Sequence, residues 1–302
     1  MLTGTTLSEL DNTTDWVNSE PLTAAQLRGH VVAVQFCTYS CINWIRTLPY
    51  VRAWASAYRE RGLVVVGAHS PEFSFEHELE DVRRAMRAMA VEHPIVLDND
   101  FAIWRSFGNQ YWPALYLVDG DGRVRHRHFG EGAYGETENA IRELIGADGE
   151  PAEVEATGVE AAADWNTLRS PETYVGHLRG EGGRARSADQ LALNQWAFTG
   201  TWTVEDDSAV VDAAGASLAF RFQARDLNVV LTPPGGAVGF TVTIDGQPPA
   251  DAHGIDVDEQ GAGSVSEPRL YQLVRQGRQV TEHTFEITFD APGVRAWVFT
   301  FG

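Results

Sequence analysis

Hydrophobic positions divide this chain into two textures. From Val31 to about Leu144, short continuous apolar runs alternate with stretches whose apolar residues recur every three or four positions. VVAVQF (31–36) and LVVVGA (63–68) read as strands buried on both faces. Between them, Trp44, Leu48, Val51, Trp54 and Tyr58 share one helical face, so a helix is expected over roughly 42–60, kinked where Pro49 interrupts it. Leu79, Val82, Ala85, Met86 and Met89 mark a helix over 78–91. PIVLD (94–98) is a short strand, and FAIWRSF (101–107) is a short helix that Gly108 stops. ALYLVD (114–119), an Asp-Gly turn and RVRHRHF (123–129) make a hairpin, and a helix over about 136–145 closes the unit. Alternation of this kind predicts an α/β sheet with helices on both faces.

Residues 146–164 contain no aromatic and no Arg, only an acidic, Ala- and Gly-rich run that reads as a linker. Beyond Trp165 the period changes. FRF, FTVTI, FEITF and WVFTF alternate apolar with polar, and Pro-Pro-Gly-Gly and Asp-Gly clusters separate them. That pattern predicts an all-β sandwich or jelly roll. The organisation is therefore an α/β unit (1–145), a linker (146–164) and a β unit (165–302).

Charge narrows the function. Across 302 residues, 42 acidic side chains face 23 basic ones, a net of −19. Nucleic-acid backbones require clustered cations, so a nucleic-acid partner is not expected. Every basic residue is Arg and none is Lys, which removes Schiff-base and P-loop lysines. HExxH, CxxC and G-x-S-x-G are absent, so no metal or other cofactor is expected. No apolar run reaches the length of a membrane span. With no basic residue before Arg28 and no apolar signal core, the chain is expected to stay in the cytoplasm.

The two cysteines lie close together, in Phe36-Cys37-Thr38-Tyr39-Ser40-Cys41. Cys41 falls where a strand ends and a helix begins, a position that favours thiolate through the helix dipole and unpaired backbone N–H groups. Farther along, Tyr111-Trp112-Pro113 opens the next strand. A strand–Cys–helix–Pro unit answered by a later X-Pro-strand is the thioredoxin pattern, in which that proline is cis.

The run from Phe36 to Val51 (FCTYSCINWIRTLPYV) resembles a block of the redoxin proteins, those of the TlpA and peroxiredoxin kind. Ser70-Pro71-Glu72-Phe73, Leu97-Asp98-Asn99-Asp100 and Phe107–Pro113 carry the likeness on, as do Asp245–Pro249, Asp256–Gly261 and Arg269–Leu273 in the β unit. The match is similar to the soluble C-terminal region of actinobacterial DipZ proteins, which are extracytoplasmic. It implies a thioredoxin-like fold, a jelly roll resembling a carbohydrate-binding module, and thiol oxidoreductase activity on a disulfide or peroxide with an external thiol as reductant. The pattern departs at two places. Trp44 stands where such reductases carry their second cysteine, and Cys37 stands where Trp is usual.

Cys41 is thus the candidate nucleophile, with Cys37 either an unusual partner or a small apolar stand-in. Arg46, one turn on, could sit over the thiolate or be a solvated helix residue. Glu72 resembles in its setting the catalytic Gln of glutathione peroxidases, and Trp112 the peroxidase tryptophan; Pro113 completes the candidate site. A fully extended chain would hold Cys37 and Cys41 about 13 Å apart, beyond the reach of a disulfide. His126 and His128 read as one face of a strand without a third metal ligand. Asp256, Asp258 and Glu259 read as a polar turn sooner than a calcium loop. The competing reading is a binding protein whose β unit holds a glycan or protein partner through Trp196, Trp202 and Tyr271, although aromatics in a sandwich are usually core.

Overall fold

Strand β2 (Val31–Cys37) is buried along its whole length, as its unbroken apolar run requires. In the computed structural model, which describes residues 6–180, 183–277 and 279–302, the chain forms two units, Met1–Glu160 and Ala161–Gly302. The first contains β1 (Trp16–Val17), α1 (Ala24–Leu27), β2, α2 (Ile42–Ile45), α3 (Leu48–Ala57), β3 (Leu63–His69), α4 (Leu79–Ala88), β4 (Ile95–Leu97), α5 (Ala102–Phe107), β5 (Ala114–Val118), β6 (Val124–Phe129) and α6 (Tyr134–Ile145). The strand order is β1-β4-β3-β2-β5-β6. Strands β2, β3 and β4 run parallel, while β1, β5 and β6 pair antiparallel with their neighbours.

Alternation along β2 feeds two cores. Val32, Val34 and Phe36 pack with Leu27, Ile103 and Phe107 on one face. Val31 and Ala33 pack with Val51, Trp54 and Ile141 on the other. The expected helix over 42–60 is two helices. Pro49 has no N–H to donate and its ring would strike the carbonyl four residues back, that of Ile45. The helix therefore ends at Ile45 and restarts at Leu48 with Pro49 in its first turn. Gly108 ends α5 in the left-handed conformation, φ 61°.

The second unit contains β7 (Thr173–Tyr174), β8 (Trp196–Thr199), β9 (Trp202–Val204), β10 (Ala209–Val211), β11 (Ser217–Phe222), β12 (Asp226–Thr232), β13 (Val238–Ile244), β14 (Ala262–Val265), β15 (Arg269–Arg275), β16 (His283–Phe289) and β17 (Arg295–Phe301). One sheet runs β15-β12-β17-β10-β9, with β7 also on β17, and the other β14-β13-β16-β11-β8. All these pairings are antiparallel. The sheets share one core, with Phe220 of β11 lying 4.9 Å from Phe299 of β17 between ring centres.

Phe36 is fully buried and meets Trp104, Phe107 and Tyr116 edge-on at 5.5–5.7 Å. Phe36→Ala should destabilise the first unit by about 3–5 kcal/mol. Denaturant unfolding followed by a probe confined to that unit checks the value, and the β unit's transition should not move.

Candidate functional site

At the end of β2 the backbone turns on itself. The Cys41 N–H donates to the Thr38 carbonyl at 3.2 Å, so Thr38–Cys41 is a tight turn and not the extended link that would hold the cysteines far apart. Cys41 is the N-cap of α2, in extended conformation at φ −79° and ψ 115°, and its carbonyl accepts from the Ile45 N–H at 3.0 Å. Neither cysteine is in a disulfide. Cys37 is completely enclosed, and burial, with Glu76 nearby, pushes its thiol far up. Cys41 keeps 9% of its surface, the largest share in a turn otherwise sealed from Cys37 to Ile42.

Trp44 lies one turn into the helix and is fully buried. Its indole N–H donates to Gln35 Oε1 at 3.1 Å, and Gln35 in turn donates to Thr47 Oγ1 at 2.8 Å. The position of a second cysteine is therefore filled by a ring anchored in the core. Arg46 neither reaches solvent nor stands as an unattached cation. It is 2% exposed and donates to Glu131 Oε1 at 3.0 Å, a pair between α2 and the loop before α6. Glu131 is itself enclosed, and burial raises its pKa against the pull of Arg46.

Two buried residues escaped the reading of the sequence. Glu76 is completely buried, in the turn Ser74–His77 that follows β3. Its carboxylate accepts from Ser40 N–H (3.3 Å), Ser40 Oγ–H (2.6 Å), Glu72 N–H (2.7 Å) and Phe73 N–H (3.0 Å). It therefore ties the residue before Cys41 to the loop after β3. Burial raises its pKa while these hydrogen bonds oppose the rise. Glu72 contributes its backbone to this arrangement, and its half-buried side chain is not the enclosed acid. A Glu three residues beyond the start of a short turn, reaching back to its first N–H groups, is the local signal that could have revealed Glu76. The second is His69, the last residue of β3, which stands opposite Cys37 in the parallel register. Its ring is fully buried, stacks on Tyr39 at 5.6 Å, and leaves both nitrogens without a hydrogen bond.

The Trp112–Pro113 peptide is cis. Ala114, next in sequence, pairs with Phe36, so Pro113 lies at the Cys37 end of β2. Trp112 donates its indole N–H to the Ser70 carbonyl at 2.9 Å and packs on Trp104 at 4.3 Å. The sheet thus brings Cys37, Cys41, His69, Trp112 and Pro113 to one end, while Arg46 is turned to Glu131.

Other candidates resolve differently. His126 and His128 sit on β6 against Thr137 Oγ1 and the Glu131 carbonyl, and no metal-holding group of three occurs among the described residues. Asp256 pairs with Arg269, and Asp258 caps its own turn through the N–H groups of Gln260 and Ala262. Trp196 and Tyr271 are core residues. Trp202 is half-buried and stacks one face on Phe198 at 4.6 Å.

Burial draws the pKa of His69 down to about 3, against an ordinary 6.5. The unfolded chain then takes up the proton first, so the stability conferred by the neutral ring is complete above pH 6.5 and drains away as pH falls toward 3. The expected slope is about 1.4 kcal/mol per pH unit in that window. Glu76 acts in the opposite sense, so the test is the difference between the parent and His69→Asn. Denaturation midpoints from pH 7 to 4 should fall less steeply in the variant; parallel curves would contradict the assignment.

A family model described as "Thioredoxin like C-terminal domain" matches residues 170–302. Protein DipZ of Mycobacterium tuberculosis is 32% identical over 320 residues, covering 98% of this chain and 43% of DipZ, so the chain spans less than half of that relative. Thiol-disulfide oxidoreductase YkuV of Bacillus subtilis is 29% identical over 121 residues, 40% of this chain and 80% of YkuV. Among solved structures, a secreted Mycobacterium tuberculosis disulfide oxidoreductase homologous to E. coli DsbE aligns at 17% identity and a TM-score of 0.39, covering 45% of this chain and 97% of its own. The likeness to DipZ overturns the cytoplasmic expectation, since the resemblance read from the sequence is to extracytoplasmic proteins. That expectation rested on the first residues of a chain that covers only part of its relative, where they say nothing of targeting. Among the described residues no helix is long and apolar enough to cross a membrane. The first unit has a thioredoxin-like fold, the second matches the thioredoxin-like C-terminal domain model, and the likeness to DipZ runs along nearly the whole chain.

Proposed function

We propose that this chain exchanges thiols and disulfides through Cys41 alone. The observation that carries the reading is Trp44. A thiol at the N-cap of a helix that follows a buried strand is the nucleophile's place, and the place that the redoxin resemblance gives its partner is occupied by an indole bonded to Gln35. In this reading the Cys41 thiolate attacks one sulfur of a substrate disulfide. The substrate S–S bond breaks, a mixed disulfide forms, and the departing thiolate takes a proton from solvent. A second, external thiolate then attacks the mixed disulfide and releases Cys41. Arg46, held by Glu131, braces α2, and Trp112 and Pro113 border the approach to the thiol. Cys37 is a poor resolving group because its thiol is enclosed and its ionisation is opposed by burial.

The name of YkuV supports disulfides as substrates ahead of peroxide. Attack on peroxide would leave a sulfenic acid on Cys41 for an external thiol to reduce. For the second unit we propose a jelly roll, on the strength of two antiparallel sheets around one core. Its buried aromatics lend no support to a glycan site.

Cys41→Ser should abolish reduction of a small aromatic disulfide by an added dithiol, whereas Cys37→Ser should keep most of the rate. After mild oxidation in the presence of glutathione, non-reducing peptide mapping should show glutathione on Cys41. A dominant Cys37–Cys41 peptide would instead establish an internal couple. Alkylation should likewise modify Cys41 at least about a hundredfold faster than Cys37 at pH 8, given how far burial suppresses the second thiolate; equal rates would exclude the single-thiol mechanism.

A further inference from the structure

An active-site turn sealed from Cys37 to Ile42 cannot receive a protein disulfide until something moves. One segment lies against this turn and another against the helix that follows it. The first is the turn after β3, fastened from inside by the fully buried Glu76. The second comes from the far end of the unit. Beyond α6 the chain runs without regular structure from residue 151 to 157, then makes a short turn, Gly158–Glu160, that packs against α2.

This run is pinned at both ends. Ala152 donates its N–H to Glu138 Oε1 of α6 at 2.6 Å, and the same carboxylate oxygen accepts from buried Tyr58 Oη at 2.5 Å. At the other end, Glu160 meets the Arg52 guanidinium of α3 with both oxygens, at 2.8 and 2.6 Å. Arg52 is oriented for this by a further bond to the Met89 carbonyl at 2.6 Å. The two fastenings differ in kind. Glu138 is buried, whereas the side chains of Arg52 and Glu160 keep 26% and 20% of their surface. A partly exposed pair is weak and screened by salt, so this end releases first. Val154, Ala156 and Val159 are only half-buried, so little apolar area holds the middle of the run.

We propose that residues 152–160 form a strap across the helix that begins at Cys41, latched by Arg52 and Glu160 and released before a protein-sized disulfide can reach the thiol. The inference deepens the exchange reading of Cys41, yet its test measures access and not turnover, so the two can fail separately. The protein and Glu160→Ala are each treated with a maleimide carrying a long polyethylene glycol chain and, in parallel, with iodoacetamide. Glu160→Ala should raise the rate of Cys41 modification by the bulky reagent about two- to fivefold, the span of an exposed ion pair. It should change the iodoacetamide rate less. Sodium chloride at 0.5 M should speed the bulky reaction of the parent protein and leave that of Glu160→Ala unchanged. Equal bulky-reagent rates in parent and variant would overturn the strap. So would a parallel rise at Cys37, since that thiol is reached only when the whole unit opens.

Discussion

Everything at the candidate site depends on β2 being buried on both faces and paired along both edges. A strand so placed has no solvent side, so its side chains must be apolar or satisfied internally, and Gln35 is the exception that shows the rule. Its amide bridges the Trp44 indole and Thr47, which fixes the first turn of α2 on the strand that precedes it. The parallel register with β3 sets His69 beside Cys37, and the antiparallel register with β5 brings Pro113 to the same end. The turn that carries Cys41 is where those pairings run out.

Burial at that end shapes the chemistry more than any single charge does. It disfavours the thiolate of Cys37, the imidazolium of His69 and the carboxylate of Glu76 alike. Glu76 persists because backbone and hydroxyl donors surround it, in place of a cation. Cys41 differs from its neighbours in standing at the helix start and keeping the largest share of surface in the turn. In the single-thiol reading proposed for Cys41, Trp44 locked in the core leaves the second thiol to come from outside the turn.

Much of this architecture was legible in the pattern of apolar positions. The runs at 31–36 and 63–68, the period of the helix over 79–88 and the alternation after Trp165 correspond to elements that are present. Local rules are strong there because a buried strand or an amphipathic face leaves a period that no other element shares. Pro49 was read as a kink when it separates two helices, since how far a proline disrupts a helix depends on what the flanking turns can bond to. The two-residue strand β1 gave no sign, being too short to carry a period.

The sequence by itself determined the class of fold, the place of Cys41 at a strand–helix junction, and the loss of a second cysteine at Trp44. The first two follow from residue identity and spacing along the chain, and the third from the resemblance to redoxin proteins. Only the tertiary structure decided what surrounds that thiol. Arg46 turns to Glu131, 85 residues away, and not toward solvent. Glu76 reaches Ser40 across 36 residues, and Glu160 reaches Arg52 across 108. Carboxylates of this kind are common on any acidic surface, and apart from the capping pattern at Glu76 nothing local marks which of them will be tied down. Their partners are chosen by the packing of distant segments, which desolvates each group and leaves it only those donors within reach.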